Sequence, residues 1–339
     1  MRKDSPASFK KVLAKATNIV IITHWSPDGD AMGSSLGLYH YLKLKGKKVS
    51  VLIPNDYPKF LEFLPGNKSV INHQQQAKKA ESLVQKADVI FTLDFNSFGR
   101  IEELGKAVQA SAGVKIMVDH HREPDNYAQL YFHDINASST CELVYELIEA
   151  LGDKKLVEKK MATCLYTGLL TDTGSFRFPS TSANTHRVVS DLIAKGANNA
   201  EIYNAIHDDN TVYRLKILGY CLSEKMNVLP EYNAAYISLS GEEQKKFNYQ
   251  KGDTEGVVNY PLSIRGMKFS AFFSEGDGIV KVSFRSKGKF DVNQFARKHF
   301  SGGGHKNAAG GKSDVSLKQT IANFLDILPL YKKELTDSK

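Results

Sequence analysis

The chain has 339 residues, of which 42% are hydrophobic and 24% are charged, and it carries a formal net charge of +8. This length is enough for two domains, and this composition is that of a globular protein, which excludes a chain without a packed core. The positive charge favours polyanionic partners such as nucleotides or RNA, although a solvated lysine surface would give the same total.

The cysteines and the N-terminus bear on the compartment. The three cysteines are odd in number and have no CxxC spacing, which disfavours a disulfide framework or a zinc knuckle and indicates a reducing compartment. The first 15 residues are charged and contain no apolar signal core. No run approaches the roughly 18 apolar residues that a membrane span needs. We therefore expect a soluble, cytoplasmic protein with no membrane partner.

A short β-branched run near the start of the chain, Ile19–Ile22, predicts a buried parallel strand. His24, Asp28 and Asp30 follow at its C-terminal end, and small residues from Ala31 onward begin a helical pattern. Carboxylates and an imidazole on one strand-to-helix loop suit a hard or borderline cation. The alternative is that the two aspartates only begin the helix.

Three later apolar runs predict further strands, at residues 48–53, 88–94 and 113–118. The second of these runs ends in Asp94 and the third is followed by Asp119-His120-His121. Strands that alternate with helical segments imply a parallel sheet with crossover helices, whose ligand-binding edge lies at the carboxyl ends of the strands. Helices predicted at 140–151 and 157–170 lead to a further acidic residue, Asp172.

The second half of the chain has a different pattern. Helical segments are predicted at 185–195 and 200–207, and a charged helix at 212–226 is predicted to be a connector. From about residue 230 the expected elements are a strand at 234–239, a hairpin formed by 268–274 and 279–286, a helix at 291–300 and a glycine-rich loop at 301–311.

These elements together predict an α/β fold. We expect an N-terminal domain over 1–210, with a parallel sheet covered by helices on both faces. A helical connector over 211–229 would join it to a smaller α+β C-terminal domain over 230–339.

In chain order, the polar strand ends resemble the four motifs of the DHH phosphoesterases: His24-x-x-x-Asp28-x-Asp30, Asp94, Asp119-His120-His121 and Asp172. Gly302-Gly303-Gly304-His305, with Arg285, resembles the DHH-associated C-terminal domain of one branch of that superfamily. Length and architecture are similar to the NrnA-like group of oligoribonucleases and 3′-phosphoadenosine-5′-phosphate (pAp) phosphatases. RecJ-like exonucleases add an OB-fold domain, and family II inorganic pyrophosphatases lack the glycine element.

The resemblance implies a site for two manganese ions, with magnesium or cobalt as substitutes. Two ions that share a bridging carboxylate can activate water and neutralise the phosphoryl oxygens. By resemblance, Asp94 is the bridge, and the full set of metal ligands is His24, Asp28 and Asp94 for one ion and Asp30, Asp94, His120 and Asp172 for the other.

Two neighbouring residues are expected to act beside the ligands. Asp119 would orient an imidazole, and His121 would donate to the substrate phosphate. Together with Asp94 they are the expected catalytic residues. For His121, an ordinary packed histidine is the alternative.

The C-terminal domain is expected to hold the substrate phosphate. Arg285 offers a planar fork, the backbone at Gly303 and Gly304 can approach an anion because no Cβ blocks it, and His305 supplies a further donor. The alternatives are a solvated arginine at a strand end and a glycine loop shaped only by a tight turn. The connector would let the gap between the two domains open and close around the substrate.

The implied function is a manganese-dependent phosphoesterase that hydrolyses short oligoribonucleotides (nanoRNA) and linear dinucleotides such as pApA and pGpG to mononucleotides. Dephosphorylation of pAp to AMP is a further implied activity. The alternatives are a cyclic-dinucleotide phosphodiesterase of the same superfamily and a non-catalytic nucleotide-binding or RNA-binding module. The expected partners are short RNA, dinucleotides and pAp, and we expect a homodimer.

Overall fold

Contacts within the chain divide it into two units, Met1–Asp209 and Asn210–Lys339. The computed structural model describes residues 2–250, 252–276 and 278–337. Each unit contains its own sheet and its own hydrophobic core. Within the described ranges, every helix is too short or too polar to cross a lipid bilayer.

The first unit is built on a mostly parallel sheet, in the order β1-β7-β6-β5-β2-β3-β4. Every neighbouring pair is parallel except β1 with β7, which is antiparallel at one edge. Parallel strands end at the same edge of a sheet, so the residues that follow β2, β5 and β6 are brought together. The strands are β1 (Arg2–Lys3), β2 (Asn18–Ile22), β3 (Lys48–Ile53), β4 (Ile71–Asn72), β5 (Val89–Leu93), β6 (Val114–Asp119) and β7 (Leu130–His133).

Helices cover both faces of this sheet, as predicted. Strand β2 shows why: Ile19 and Ile21 belong to one buried cluster, whereas Val20 and Ile22 belong to another on the opposite face. Side chains of α1, α2, α5, α6 and α7 also pack into the first cluster, and side chains of α3 and α4 pack into the second. The helices are α1 (Pro6–Lys15), α2 (Gly29–Leu44), α3 (His73–Gln85), α4 (Leu104–Ala110), α5 (Thr140–Ala150), α6 (Lys159–Asp172), α7 (Ala183–Ala194) and α8 (Asn199–Tyr203).

The second unit has a mixed sheet in the order β12-β13-β11-β10-β9-β8, parallel between β9 and β10 and antiparallel elsewhere. Phenylalanine rings dominate its core; Phe284 and Phe295 meet edge to face at 5.2 Å. Its strands are β8 (Met226–Leu229), β9 (Ala234–Leu239), β10 (Phe269–Gly276), β11 (Ile279–Ser286), β12 (Gly303–His305) and β13 (Ala308–Ser313). Its helices are α9 (Val212–Ser223), α10 (Gly241–Lys246), α11 (Val292–His299), α12 (Leu317–Ile327) and α13 (Lys332–Thr336).

The structure differs from the sequence prediction in three places. The charged helix stops at Ser223, and Met226 already begins β8; Ile217 and Cys221 pack into the core of the second unit. The segment predicted as one helix over 200–207 is α8 followed by a π-helical turn, Asn204–Asp208. The glycine-rich segment 301–311 is not a loop, because most of it forms the antiparallel pair β12 and β13.

Candidate metal centre

His24 lies directly after β2, with its ring buried. Its Nδ1 is 2.9 Å from the carbonyl oxygen of Trp25, which can accept the Nδ1–H. Nε2 then faces two carboxylates, at 3.4 Å from Oδ2 of Asp94 and 3.9 Å from Oδ1 of Asp28. A backbone carbonyl that fixes one ring nitrogen and leaves the other to face acidic groups is the usual arrangement of a metal-binding histidine.

Asp28 has a structural role as well. Its Oδ1 accepts hydrogen bonds from the N–H groups of Asp30 and Ala31, each at 3.0 Å, so it is the N-cap of α2. Asp28 therefore does begin the helix, but it also faces Nε2 of His24, so capping is not its sole contact. Capping does not explain Asp30, whose side chain is buried.

Asp94 lies between the imidazoles of His24 and His120. It follows β5 with a φ of 64°, a left-handed conformation that an aspartate adopts more readily than most residues. One oxygen, Oδ2, lies 3.4 Å from Nε2 of His24, and the other, Oδ1, lies 3.6 Å from Nε2 of His120. Oδ1 also accepts from the hydroxyl of Thr140 at 2.9 Å. A carboxylate with its two oxygens directed to different imidazoles has the geometry of a bridge.

Asp30 is held by the first turn of α5. Its Oδ2 accepts from the N–H of Thr140 at 2.6 Å, and its Oδ1 accepts from the N–H of Cys141 at 2.9 Å. The positive end of a helix dipole stabilises a carboxylate at this position. Side-chain capping at the same helix end comes from Ser139, whose oxygen accepts from the N–H of Glu142.

Asp172 reaches the same place because α2 and α6 pack closely. A Cβ built on Gly168 of α6 would lie 2.2 Å from Sγ of Cys141 and 2.8 Å from Oδ1 of Asp30, so only glycine fits there. Asp172 is the last residue of α6, and its Oδ2 is 3.5 Å from Nε2 of His120. The predicted ligand Asp172, which is distant from Asp30 in the sequence, is thereby placed within the cluster.

His120 faces the carboxylates of Asp30 and Asp172. Its Nε2 lies 3.8 Å from Oδ2 of Asp30 and 3.5 Å from Oδ2 of Asp172. Its Nδ1 is 3.1 Å from the carbonyl oxygen of Ala137, which fixes the ring as Trp25 fixes that of His24. Both imidazoles thus turn Nε2 toward carboxylates.

Asp119 and His121 form a pair beside these residues. Nδ1 of His121 is 2.8 Å from Oδ1 of Asp119, and 3.7 Å from Oδ1 of Asp94. The Asp119 side chain is buried, and its Oδ2 is one of the buried polar atoms that have no hydrogen-bond partner among the described residues. The imidazole that Asp119 contacts is thus that of His121, and a role in orienting it stays a prediction.

Burial and neighbouring charges have opposing effects on the pKa values of these acidic and imidazole groups. Burial raises the pKa of Asp30, and the charges of Asp94 and Asp172 raise it further. Burial alone would lower the pKa of His120, but the nearby carboxylates, Asp172 first, outweigh it and raise that pKa to about 9. Burial opposes ionisation of Asp94 too, yet its hydrogen bond with His24 and the charge of His121 hold its pKa below the usual range.

The donor set fits divalent cations. Oxygen and imidazole nitrogen ligands without thiolates suit manganese, magnesium or similar ions, and ionised carboxylates buried close together are costly unless positive charge offsets them. The orphaned Oδ2 of Asp119 adds a polar atom that the protein itself leaves unsatisfied. Within the first unit, three groups of side chains each bring their potential ligand atoms within 4.8 Å of one another: His24, Asp28 and Asp94; Asp30, His120 and Asp172; and Asp94, Asp119 and His121.

In the second unit, Arg285 and His305 lie in register across the sheet. Ala308 on β13 pairs with Arg285 on β11 at one side and with His305 on β12 at the other. Residues in register on adjacent strands point to the same face, so the guanidinium and the imidazole leave the sheet on one side with an alanine between them. Arg285 Nη1 donates to the carbonyl of Phe284 at 3.0 Å.

The glycines before His305 form contacts within the second unit. The N–H of Gly302 donates to the carbonyl of Ala296 at 3.2 Å, and the N–H of Gly304 donates to Oδ1 of Asn293 at 2.9 Å. The sequence prediction that the backbone at Gly304 donates to an anion is therefore corrected, because its N–H is already satisfied, as is that of Gly302.

Of the three glycines before His305, Gly303 is the one without a steric reason to be glycine. Gly304 has a φ of +146°, and a Cβ there would lie 2.6 Å from the carbonyl oxygen of Ala308. A Cβ on Gly303 would meet nothing closer than Oδ1 of Asn293 at 3.5 Å, an ordinary contact. Close approach of a ligand would explain a glycine at this position.

Sequence reasoning missed Thr140 as a part of the metal centre. Its hydroxyl and its N–H reach two of the expected ligands, Asp94 and Asp30. The available signal was the pair Ser138-Ser139 before an apolar helix, which predicts a helix N-terminus but not what it faces.

The fold and the cluster define a class: an α/β protein with a carboxylate–imidazole metal centre at the edge of a parallel sheet. Two family models match the chain, "DHH family, N-terminal domain" over residues 18–169 and "DHHA1 domain" over residues 231–331. The expected ligands from His24 to His121 fall inside the first match, and Arg285 and His305 fall inside the second. Asp172 lies just past the first match.

Individual relatives agree with these matches. The chain is 32% identical to a bifunctional oligoribonuclease and PAP phosphatase NrnA of Thermus thermophilus, over 94% of this chain and 90% of that protein. A crystal structure of an exopolyphosphatase-related protein from Bacteroides fragilis superimposes with a TM-score of 0.94 at 43% identity, covering 98% of this chain and 97% of that one. The chain therefore belongs to the DHH family of metal-dependent phosphoesterases and carries a DHHA1 domain.

A more distant relative has a different activity. The cyclic-di-AMP phosphodiesterase PdeA of Listeria monocytogenes is 24% identical over 96% of this chain, but the match spans only 49% of that protein.

Proposed function

We propose that this enzyme hydrolyses short oligoribonucleotides and linear dinucleotides to mononucleotides and removes the 3′-phosphate of pAp, with manganese as its metal. The observation that carries this proposal is the shared carboxylate: Asp94 directs one oxygen to His24 and the other to His120. The name of the Thermus thermophilus relative, which is similar over nearly its whole length, supplies the substrate class.

We assign the residues as follows. His24, Asp28 and Asp94 would hold one cation, and Asp30, Asp94, His120 and Asp172 would hold the other. Bound divalent cations supply a water of lowered pKa and neutralise charge on the phosphoryl oxygens.

The remaining roles belong to the chain's own groups. The carbonyls of Trp25 and Ala137 keep Nε2 of His24 and His120 directed at the cluster. Asp119 accepts a hydrogen bond from Nδ1 of His121 and so fixes the ring, and we assign Nε2 of His121 as the donor to a substrate phosphate. Arg285, His305 and the open backbone at Gly303 would bind a phosphate of the substrate, and the close approach at Gly304 shapes that strand. A cytoplasmic homodimer remains our prediction for the assembled enzyme.

A substrate panel tests the proposal. The purified protein, stripped with chelator, is reloaded with manganese, magnesium or cobalt and offered pAp, pApA, pGpG, a short RNA and cyclic-di-AMP. We expect no turnover without metal and the highest rates with manganese on pAp and the linear substrates. Full activity in excess chelator, or metal-dependent binding without turnover of any substrate, would contradict it.

Cyclic-di-AMP hydrolysis is the second candidate, because PdeA matches almost the whole chain. A cyclic dinucleotide presents no terminal phosphate for Arg285 and His305. We therefore expect cyclic-di-AMP to be cleaved more slowly than pApA, and the reverse order would favour the second candidate.

A further inference from the structure

A recess lies beside the metal centre in the first unit. Its volume is about 280 Å³, and its lining residues are Trp25, Pro54, His73, Gln74, Ala77, Ile101, Glu102 and Glu103. We call it the Trp25 recess. Trp25 is the residue after His24, and its N–H donates to the carbonyl of Arg100 at 2.7 Å, which fixes the backbone there.

The sheet topology places this recess at the ligand-binding edge. Trp25, Pro54 and His73 follow the carboxyl ends of β2, β3 and β4 respectively. In the sheet order, β3 and β4 lie on one side of β2, while β5 and β6, which carry Asp94 and His120, lie on the other. The loop after β2 therefore supplies a metal-centre histidine toward one side and an aromatic wall toward the other.

The chemistry of the walls identifies the kind of group that fits. Trp25 exposes 38% of its surface and Ala77 is half-buried, while Pro54 and Ile101 are buried apolar residues of the lining. The polar lining includes two exposed carboxylates, Glu102 and Glu103, and Oε2 of Glu103 is paired with Lys106 at 2.6 Å. No lysine or arginine is itself among the lining residues. Such a surface repels a phosphate but accepts a flat ring whose N–H groups can donate to carboxylate and amide oxygens.

The size limits the occupant further. Sites that enclose drug-sized ligands usually measure about 300–1,000 Å³. The Trp25 recess is slightly smaller, so it suits one ring system rather than a complete nucleotide.

We propose that the Trp25 recess is a nucleobase subsite, in which the indole of Trp25 stacks on the base of the nucleotide whose phosphate lies at the metal centre. This inference rests on the proposed function for its substrate. Its structural basis is the direct succession of His24 and Trp25, which joins a phosphate-proximal ligand to an aromatic surface. Glu102, Glu103 and Gln74 would accept hydrogen bonds from the edge of the base.

The wild-type protein allows a direct test, because its sequence contains a single tryptophan. Indole fluorescence of the metal-loaded enzyme therefore reports on Trp25 alone. We expect AMP to quench this emission with saturation, and ribose 5-phosphate, which has the same phosphate but no base, to leave it unchanged. Equal quenching by both compounds, or none by AMP at concentrations that inhibit turnover competitively, would overturn the proposal.

A kinetic test uses pApA and analogues that lack one base or the other. In Trp25→Ala, we expect the ratio of kcat/KM for the intact substrate to that for the abasic one to fall about 5- to 150-fold, the range for one base–aromatic stack. Trp25→Phe should retain most of the ratio. Phe63→Ala is the matched control, since Phe63 is also 38% exposed and lies in the segment that packs on α2 through Pro65 and His40.

The outcomes separate this inference from the proposed function. An equal loss of kcat/KM on intact and abasic substrates in Trp25→Ala would overturn the subsite. If no nucleotide is hydrolysed but AMP still quenches the indole selectively, the proposed function fails and the base-binding recess stands.

Discussion

The metal-centre edge of the first unit and the glycine hairpin of the second unit were both recognised from short motifs, but the fold uses them differently. At the metal centre, Asp94 has a left-handed φ of 64° and Oδ2 of Asp119 is buried with no partner among the described residues. In the hairpin, the amides of Gly302 and Gly304 are satisfied inside the unit. The first region is arranged for a ligand, whereas much of the second region is already explained by packing.

This contrast indicates whether a motif residue serves a ligand or the fold. A residue that is strained, buried and polar, and incompletely paired, indicates a ligand. A glycine that permits two backbones to approach indicates the fold itself. Substitutions should therefore lower activity without loss of stability in the first case, and lower stability in the second.

The largest effect should come from Asp94. Asp94→Ala removes the carboxylate that faces both His24 and His120, so we expect kcat to fall by at least about 100-fold, since metal catalysis contributes several kcal/mol to transition-state stabilisation. Bound metal, measured by elemental analysis, should fall in parallel. The exposed Asp326→Ala in the second unit serves as the control. A variant that keeps more than a few per cent of the wild-type rate would show that Asp94 is not the bridge.

Arg285 and His305 should come next. A charge-assisted hydrogen bond to phosphate contributes about 1.5–3 kcal/mol, so Arg285→Ala and His305→Ala should each lower kcat/KM roughly 10- to 150-fold. Bound metal should remain at the wild-type level, which separates these variants from Asp94→Ala. The measurement is steady-state kinetics on pAp and on a dinucleotide. Wild-type efficiency in both variants would remove the second unit from substrate binding.

Much of the metal centre was predictable because its residues follow strands that the sequence marks clearly. Val89–Leu93 and Val114–Asp119 are apolar runs with polar ends, and parallel strands place such ends at one edge. Thr140 was not predictable, because its contact with Asp94 depends on how the start of α5 packs across the sheet edge.

The glycine hairpin was not predictable for a related reason. Glycine has low strand propensity, so 303–305 and 308–311 predict a loop when taken alone. They form strands because β13 pairs with β11, where Val282 is in register with Gly311 and Phe284 with Ala309. A tertiary neighbour thus decides the local structure. The same holds for β8, which depends on pairing with β9.

Alanine variants of Gly303 and Gly304 should differ in their free energy of unfolding. Gly304→Ala places a Cβ 2.6 Å from the carbonyl oxygen of Ala308 at a φ of +146°, so we expect it to lower the free energy of unfolding by about 1–3 kcal/mol. Gly303→Ala has room for its Cβ and should change that free energy by no more than about 0.5 kcal/mol while lowering kcat/KM. Urea unfolding of the whole chain measures both. Equal destabilisation would mean that Gly303 is also required by the fold.

The smallest effect concerns pH and metal affinity. In the metal-free protein, nearby carboxylates raise the pKa of His120 to about 9, although burial opposes this, so the ring carries a proton at neutral pH. A metal binds only the neutral imidazole, so binding displaces that proton and affinity rises with pH. The rise should approach tenfold per unit between about pH 6.5 and 8.5 and level off above the pKa, as expected for one displaced proton.

Calorimetric titration of the stripped protein with manganese tests this, in two buffers with different heats of ionisation. The difference between the two measured heats gives the number of protons released, which we expect to be at least about one per binuclear site. Burial lowers the pKa of His24, but its hydrogen bond with Asp94 and the charges of Asp28 and Asp94 together raise it, and this adds to the release in the same direction. Asp94→Ala removes an acidic neighbour of both imidazoles and should release fewer protons for whatever metal it still binds. A release near zero in the wild type would contradict the protonated state of His120, because any ligand that carries a proton, imidazole or carboxylic acid, must lose it to bind a metal.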